Sequence, residues 1–467
     1  MLCGNCGRAR KAGDCSCVPS RFWDIPEVRR AVADQDPNTL IRLLLRHTHL
    51  AQDAIARMCD LSQAMVSRVL NGSREIRKPE SRRRAFDGIT HGYNVPTTGM
   101  ARVPAHLALR LNDSGEEAAS ALRRLSQADI EHTPGMEEGS GNSAISPAVL
   151  SWLVRTPGSA EVDPLTEEGP VAAVRAASTA FSSLDNRFGG ENARTTALHY
   201  LHDTVVPLLR RSHTEAVRRS LFTVAAEFVL SIAWMSYDAQ RNGAARRYFV
   251  QALDLATHAE DRLLGASVLS AMSHQANYLG AHAEARDLAR AALTGAGSRA
   301  TATMRAQFLM MEARAHAARQ DKSGCFRAMS EAERAFGRRD PRTDPGWISY
   351  FDHAEYSDEV AHCHRDLGHA HVARRLAEQS LAASTGDEYA RSRVFTRLVL
   401  AVAVLGQGEV EEAGHIGEQV VPLVQATSSA RCVGYLNDFA QRIWPHRDQP
   451  EAARFLRKAR AVAATGQ

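Results

Sequence analysis

The sequence predicts an all-α protein, with a small helical domain near the N-terminus followed by a long array of paired helices. Short apolar stretches with helical spacing run from residue 37 to residue 71, separated by turn and N-cap residues. Small residues then recur at regular intervals across the second half of the chain, as they do where helices repeatedly touch. A chain of 467 residues exceeds one compact domain, and its 44% hydrophobic content is sufficient for a full core.

Residues 52–71, QDAIARMCDLSQAMVSRVLN, have the spacing of two short helices that pack across a tight turn. The positions that such helices must bury are all apolar or small: Ile55, Ala56, Cys59, Leu61, Val66 and Val69. Ala56 stands where the helices cross most closely, and Ser62 is a good N-cap for the second helix. The spacing therefore predicts a helix-turn-helix domain whose second helix presents polar side chains outward. An ordinary helical hairpin with a polar face is the alternative.

This segment resembles the XRE (lambda-repressor-like) family of DNA-binding domains, although SQAMVSRVLNG is also similar to the recognition helix of LacI-type repressors. A further helix predicted at 37–47, PNTLIRLLLRH, favours the XRE family, as do Gln52 and Gln63 at the starts of the two helices. In that family the first glutamine contacts a phosphate and the second a base, so the resemblance implies double-stranded DNA as partner. Asp60 departs from the family, which usually carries glycine in this turn.

Charge favours the same interpretation. Residues 1–111 hold 18 Lys and Arg against 10 Asp and Glu, whereas the rest of the chain holds 39 against 43. A basic cluster directly follows the second helix and is suited to phosphate contacts, although a solvated helix face is the alternative. The predicted DNA-contacting residues are Gln52, Ser62, Gln63, Ala64, Ser67, Arg68, Asn71, Arg74, Arg77, Lys78, Arg82 and Arg83.

Four of the eight cysteines lie within the first 17 residues, as C-x2-C-x8-C-x-C. Four thiols clustered in this way point to zinc before disulfides in a cytosolic protein. We therefore predict a structural zinc site at residues 1–20, with Cys3, Cys6, Cys15 and Cys17 as ligands. The CSC half is tighter than the usual C-x2-C, and a disordered or redox-sensing thiol cluster is the alternative.

The second half of the chain carries an internal repeat. Small residues recur with spacings of 40, 40, 48 and 40 at Ala233, Ser273, Ala313, Ala361 and Ala401. The same spacings recur 12 residues later, at Ala245, Ala285, Cys325, Ala373 and Ala413. A third series follows after 7 more residues, at Ala252, Ala292, Ala332, Ser380 and Val420. Three small positions in each unit predict pairs of antiparallel helices that approach closely.

These offsets resemble the tetratricopeptide (TPR) repeat, with a longer period than that family's ~34 residues. The resemblance implies a helical-repeat solenoid that dimerises and binds a signalling peptide, as in the XRE–TPR regulators of Gram-positive bacteria. In that family peptides bind along the first helix of each repeat through Asn and Arg side chains. The corresponding residues include Asn277, Arg305, Glu312, Tyr356 and Arg397, with solvated surface as the alternative for each.

The predicted organisation divides the chain at changes in composition. It comprises the cysteine segment 1–20, the helix-turn-helix domain 21–111, a Gly/Ser/Glu/Pro-rich linker 112–147, a helical extension 148–221, five TPR-like repeats 222–424 and C-terminal capping helices 425–467. No apolar run approaches membrane-spanning length and the N-terminus lacks a signal-peptide core, so we expect a cytoplasmic protein. Phosphate-binding glycine loops, nucleophile elbows and HExxH motifs are lacking in the sequence, which predicts no enzymatic activity.

Together these features predict a sequence-specific, DNA-binding transcriptional regulator with a dimeric, ligand-sensing helical body. The competing class is a TPR interaction scaffold or adaptor whose helical head docks a protein partner. The sequence does not determine the operator, the ligand, or whether the regulator activates or represses.

Overall fold

The protein is all-helical wherever the computed structural model describes it, without a β-strand among those residues. The described residues are 22, 25–33, 36–48, 50–59, 61–73, 75–76, 81–82, 85–86, 89, 109–133, 136, 146–155, 169–188, 190–384, 390–427 and 429–465. The chain forms two compact units, Met1–Ala105 and His106–Gln467.

In the described part of the first unit, four short helices surround one apolar cluster. They are α1 (Pro26–Ala33), α2 (Pro37–His47), α3 (Gln52–Met58) and α4 (Gln63–Leu70). The side chain of Asp36 caps the start of α2, and Pro37 occupies the first helical position, where its missing N–H costs nothing. Leu40, Ile41 and Leu44 of α2 are fully buried against Ile55 of α3 and Val66 of α4, which fixes the three helices on one core.

The second unit is built mainly from consecutive helix pairs. After an N-terminal layer, five pairs follow in order: α10 (Glu215–Asp238) with α11 (Asn242–His258), α12 (Arg262–Tyr278) with α13 (His282–Ala296), α14 (Ala302–Ala318) with α15 (Lys322–Phe336), α16 (His353–Asp366) with α17 (Ala370–Ala383), and α18 (Ala390–Gly406) with α19 (Val410–Ala426). Two further helices, α20 (Ala430–Ile443) and α21 (Pro450–Thr465), pack on the last pair.

The repeated small residues lie where the helices of these pairs meet. All fifteen positions of the three series are buried, with at most 3% of the residue exposed. The Ser273 hydroxyl even donates to the backbone carbonyl of Ala285 at 2.7 Å, so a longer side chain there would separate α12 from α13. The eight additional residues of the 48-residue interval fall in the connection between α15 and α16, which contains two short 3₁₀ turns, Pro341–Thr343 and Gly346–Ile348.

The N-terminal layer of the second unit corrects the predicted linker at 112–147. Residues 115–130 form a helix, α5 (Gly115–Ile130), whose Ala118, Leu122 and Leu125 are buried. On its last turn the buried Asp129 accepts hydrogen bonds from Arg194 and from the Tyr248 hydroxyl. The linker prediction was wrong here because Ser, Gly and Glu at 114–117 are the N-cap and first turn of a helix and do not indicate a flexible segment.

The remaining helices of this layer cover the first pairs. They are α6 (Ser146–Val154), α7 (Pro170–Phe188), α8 (Gly190–Tyr200) and α9 (Val206–Leu209), with a π-helical turn at Leu201–Val205 between the last two. Helices α7 and α8 pack on α10, which is long and apolar enough to cross a membrane by length and composition alone. Because 78% of the most apolar window of α10 is buried inside the unit, its apolar side chains are accounted for as protein core.

The array of pairs curves until its last helices meet its first. Arg391 of α18 forms a bidentate ion pair with Asp185 of α7, with both N–O distances 3.0 Å, and lies 3.3 Å from Asp238 at the end of α10. The start of α20 contacts the same carboxylate, since the Ser429 hydroxyl donates to Asp238 at 2.8 Å. We call the contacts of Ser429, Arg431 and Tyr435 with Tyr237, Asp238 and Tyr278 the closing interface.

Candidate nucleic-acid interface and candidate ligand-binding residues

Helix α4 presents a polar face on the first unit. Ser62, Gln63, Ala64, Arg68 and Asn71 are exposed, and Ser67 is half-buried. On the opposite side of the same helix Val66 and Val69 are completely buried in the core of the unit. The side chains predicted to face a nucleic acid therefore share one accessible surface, and one of them is a permanently charged guanidinium.

Local hydrogen bonds fix both ends of α4. The Ser62 hydroxyl accepts the backbone N–H of Met65 at 3.2 Å, which is the N-cap contact expected from the sequence. At the other end, Arg42 Nε donates to the carbonyl oxygen of Val69 at 3.2 Å, and the positive charge lies favourably at the C-terminus of the helix. Chain reversal follows at Gly72, whose φ of +68° is readily adopted by glycine.

The other predicted DNA contacts are distributed differently. Gln52 is half-buried at the start of α3. Arg82 lies 3.9 Å from Asp36 and is therefore near the start of α2. Asp60, Arg74, Arg77, Lys78 and Arg83 lie outside the described residues, as do Cys3, Cys6, Cys15 and Cys17. Within the described part of the chain, no group of three or more His, Cys, Asp or Glu side chains could hold a metal ion.

Cys59 lies between α3 and α4 and is completely buried. Burial raises the pKa of its thiol to about 12, so the side chain is a neutral packing group at physiological pH. Its place in the core agrees with the small, apolar character required of that position by the sequence pattern.

The five predicted peptide-contacting residues differ in their contacts and exposure. Glu312 pairs with Arg290 at 2.7 Å, and Tyr356 stacks on Phe336 with ring centroids 4.3 Å apart. Both contacts are with the second helix of the preceding pair. The Asn277 side-chain oxygen is hydrogen-bonded to the His282 ring at 2.9 Å across the turn between α12 and α13. Arg305 is exposed, and Arg397 is half-buried with its Nε lacking a hydrogen-bond partner among the described residues.

A different set of first-helix residues meets in the interior of the curved array. The Trp234 and His274 rings lie 5.4 Å apart, Arg314 Nη1 lies 3.5 Å from His274 Nε2, and Arg314 Nη2 lies 3.4 Å from His362 Nδ1. The four residues are Trp234, His274, Arg314 and His362. Each comes directly after a residue of the first small-residue series. We call them the inner row. The repeat register could have identified this row, since the position after each small residue faces the next pair.

Electrostatics keep the inner row only partly charged. Burial lowers the pKa of His362 well below its usual value, and the neighbouring Arg314 lowers it further, so the imidazole is neutral. The same two causes lower the pKa of His274. The Arg314 charge is compensated by Glu359, whose carboxylate lies 3.0 Å away. This arrangement suits recognition of a polar or aromatic group and holds no nucleophile paired with a base.

No protein-family model matches the chain, and a search of curated proteins finds no match either.

Proposed function

We propose that the protein is a cytoplasmic, sequence-specific DNA-binding transcriptional regulator. In this proposal the first unit is an XRE-type helix-turn-helix domain, with α3 and α4 as its two motif helices. The second unit is a TPR-like solenoid that dimerises and senses a ligand. The observation that carries the proposal is the exposed face of α4, where Gln63 and Arg68 project from a helix held by buried Val66 and Val69. Glutamine reads adenine and arginine reads guanine in the major groove.

The geometry around α4 supports a recognition helix over a simple surface helix. Recognition helices contact base edges mainly through their N-terminal residues, and here Ser62, Gln63 and Ala64 are all exposed. Nothing larger than alanine stands at the second helical position, so the backbone can approach a base pair closely. The basic excess of residues 1–111 supplies the phosphate attraction on which such docking depends.

Replacing Arg68 tests the assignment. Arg68→Ala should weaken binding to the selected operator by ~1–3 kcal/mol and relax specificity at one base pair, because a bidentate guanine contact is lost. Arg83→Ala should weaken binding to all sequences about equally, as expected for a phosphate contact. The matched control is Arg338→Ala, which removes an exposed arginine of the second unit and should leave binding unchanged.

The measurement is selection from a random DNA library, followed by titration of the selected site at several salt concentrations. Several phosphate contacts require a steep fall of affinity with salt. The competing function is a scaffold whose first unit docks a protein. An Arg68→Ala protein with unchanged sequence preference, or a wild-type protein without a salt-dependent DNA complex, would favour that scaffold.

A further inference from the structure

Helix α20 has two faces with different partners. Cys432, Leu436, Phe439 and Ile443 are fully buried in an apolar cluster with α18, α19 and α21. Arg431, Gly434 and Tyr435 lie on another side and reach the first two helix pairs through the closing interface. Through its apolar face α20 belongs to the C-terminal end of the array. Through its other face it contacts the first two helix pairs.

Arg431 lies between the two ends of the array. The guanidinium carbon lies 4.5 Å from the ring centroid of Tyr237 on α10, at the beginning, and 4.5 Å from that of Phe395 on α18, at the C-terminal end. The Nε atom is 3.6 Å from the Asp238 carboxylate, so two cation–π contacts and one acidic partner surround the charge.

Neighbouring contacts determine which side chains the surface accepts beside the arginine. Tyr435 stacks on Tyr278 with centroids 6.0 Å apart and ring planes 11° from parallel. A Cβ atom on Gly434 would lie 2.6 Å from the Tyr278 hydroxyl oxygen, so only glycine fits there without a shift. The exposed Gln240 side chain donates to the carbonyl oxygen of Ala430 at 2.7 Å. The site therefore selects an arginine followed, three and four residues later, by a small residue and an aromatic one.

In the described part of the chain, the closing interface leaves part of the Arg431 guanidinium without hydrogen bonds. Arg431 is only 7% exposed, yet its Nε and Nη1 atoms have no hydrogen-bond partner within the described residues. A buried charge that lacks part of its hydrogen bonding stabilises a contact poorly. An external helix with a better-placed guanidinium can therefore compete for the same surface.

We propose that Tyr237, Asp238 and Tyr278 form a recognition surface for an external helical segment that carries an arginine, a small residue and an aromatic residue in the α20 spacing. In the closed array α20 occupies this surface itself. Binding of the external segment displaces the C-terminal end from the first pairs and opens the array. This inference rests on the proposed function, in which such a segment is the ligand sensed by the regulator.

The probe is a labelled synthetic peptide of residues 429–443, SARCVGYLNDFAQRI, carrying Cys432→Ser to prevent oxidation. It is titrated against the full-length chain and two variants with a weakened closing interface. Arg431→Ala removes the competing guanidinium, and Gly434→Ala places a Cβ atom against the Tyr278 hydroxyl without creating a cavity, while the peptide keeps both original residues. Because closure reduces the fraction of open sites, the peptide should bind each folded variant about tenfold more tightly than wild type. Peptide binding should also increase the radius of gyration in X-ray scattering.

Matched controls test the chemistry of recognition. The peptide with Arg431→Ala should bind at least about tenfold more weakly, because it lacks the charge that contacts the Tyr237 ring and the Asp238 carboxylate. The peptide with Arg442→Ala should bind normally, since that arginine forms its ion pair with Asp438 on its own helix. Adding Asp238→Asn to the Arg431→Ala chain should abolish the gain in affinity.

Equal peptide affinity for wild type and both folded variants would overturn the proposal, as would indifference to the peptide arginine. Circular dichroism and thermal unfolding establish that each variant is folded, and Gly434→Ala remains informative if Arg431→Ala is not. DNA binding is measured on the same proteins. A chain that binds its operator but not the peptide refutes this inference alone, whereas one that binds no DNA refutes the proposed function.

Discussion

A single buried carboxylate ties the beginning of the second unit to its core. Asp254 on α11 accepts the backbone N–H of Asn112 at 3.0 Å and the Asn112 side-chain amide at 2.6 Å. Burial raises the pKa of Asp254 to about 6, although the two hydrogen bonds from Asn112 oppose the rise. Burial also lowers the pKa of the neighbouring His258, and Arg155 adds to that effect.

These shifts have opposite consequences for stability. Because the pKa of Asp254 is raised on folding, its stabilisation is fully present below pH ~4 and is lost as the pH rises to about 6. His258 acts in the other direction, and its contribution is lost as the pH falls through its ordinary value of 6.5. We therefore compare wild type with an Asp254 variant at each pH, because the pH dependence of wild-type stability alone contains both effects.

Asp254→Asn should become more favourable relative to wild type as the pH rises. The difference in unfolding free energy between the two proteins should change by about 2 kcal/mol between pH 4 and pH 7, since the amide cannot ionise. Urea denaturation at four pH values measures it. A difference that stays constant over this range would show that the Asp254 carboxyl titrates normally in the folded chain.

The cysteines divide into two groups with different expected chemistry. Cys59, Cys325, Cys363 and Cys432 are buried free thiols, and burial raises the pKa of Cys432 to about 11. We expect them to resist thiol reagents in the native protein. The N-terminal Cys3, Cys6, Cys15 and Cys17 should instead bind about one zinc ion per chain as thiolates.

Replacing Cys3 and Cys6 by serine should abolish zinc binding and leave the thermal unfolding of the helical body unchanged. Elemental analysis and a colorimetric zinc assay on freshly reduced protein measure the metal. Zinc-free wild-type protein with four rapidly reacting thiols would identify the cluster as a free or redox-active one.

At the scale of single elements, α6 shows how a nine-residue helix is held by one side chain. Trp152 is completely buried where a Cβ atom on Gly265 or Gly295 would overlap its ring. The Arg262 guanidinium lies 4.0 Å from the Trp152 ring centroid and also donates to its backbone carbonyl. By contrast Leu150 and Val154 of the same helix are 60% and 79% exposed, so they contribute little to its attachment.

Trp152→Ala should therefore destabilise the second unit by about 3–5 kcal/mol, the usual cost of removing a buried aromatic side chain. Leu150→Ala is the matched control and should change the unfolding free energy by less than about 0.5 kcal/mol. Guanidinium denaturation compares the two. Equal effects would mean that α6 is attached through its exposed side, contrary to the structure.

The sequence predicted some elements better than others, for physical reasons. The buried small residues could be identified in the sequence because close contact between helices permits few other side chains. All fifteen positions are buried. The turns within the pairs were missed, although positive φ angles occur there with the same 40, 40, 48 and 40 spacings: Gln240, Gly280, Gln320, Gly368 and Gly408. Glutamine at two of these sites conceals the pattern that glycine alone would reveal. The inner row was missed because its polar residues resemble solvated surface until the array curves around them.

At the scale of the whole molecule, the proposed function requires two copies of the chain. A single helix-turn-helix domain offers few contacts, and domains of this type read two half-sites about one helical turn apart. The second unit exposes large apolar side chains near its C-terminal end, with Leu423 38% and Trp444 43% exposed. Exposed aromatic and aliphatic groups of this kind are frequent at interfaces. The correction at 112–147 also changes how the chain is divided, because α5 belongs to the second unit.

We expect the full-length protein to be a homodimer joined mainly through the C-terminal end of the second unit. Light scattering should give twice the 51.0 kDa chain mass, and Trp444→Glu should shift the equilibrium towards monomer because a carboxylate would be desolvated in the interface. Leu150→Glu is the matched control, since Leu150 is 60% exposed on α6, which packs on α11 and α13. Fragments 106–467 and 1–105 locate the association, with dimers expected only for the first. A monomeric 106–467 fragment beside a self-associating 1–105 fragment would assign dimerisation to the DNA-binding unit instead, and the heads would then be spaced by their own contact.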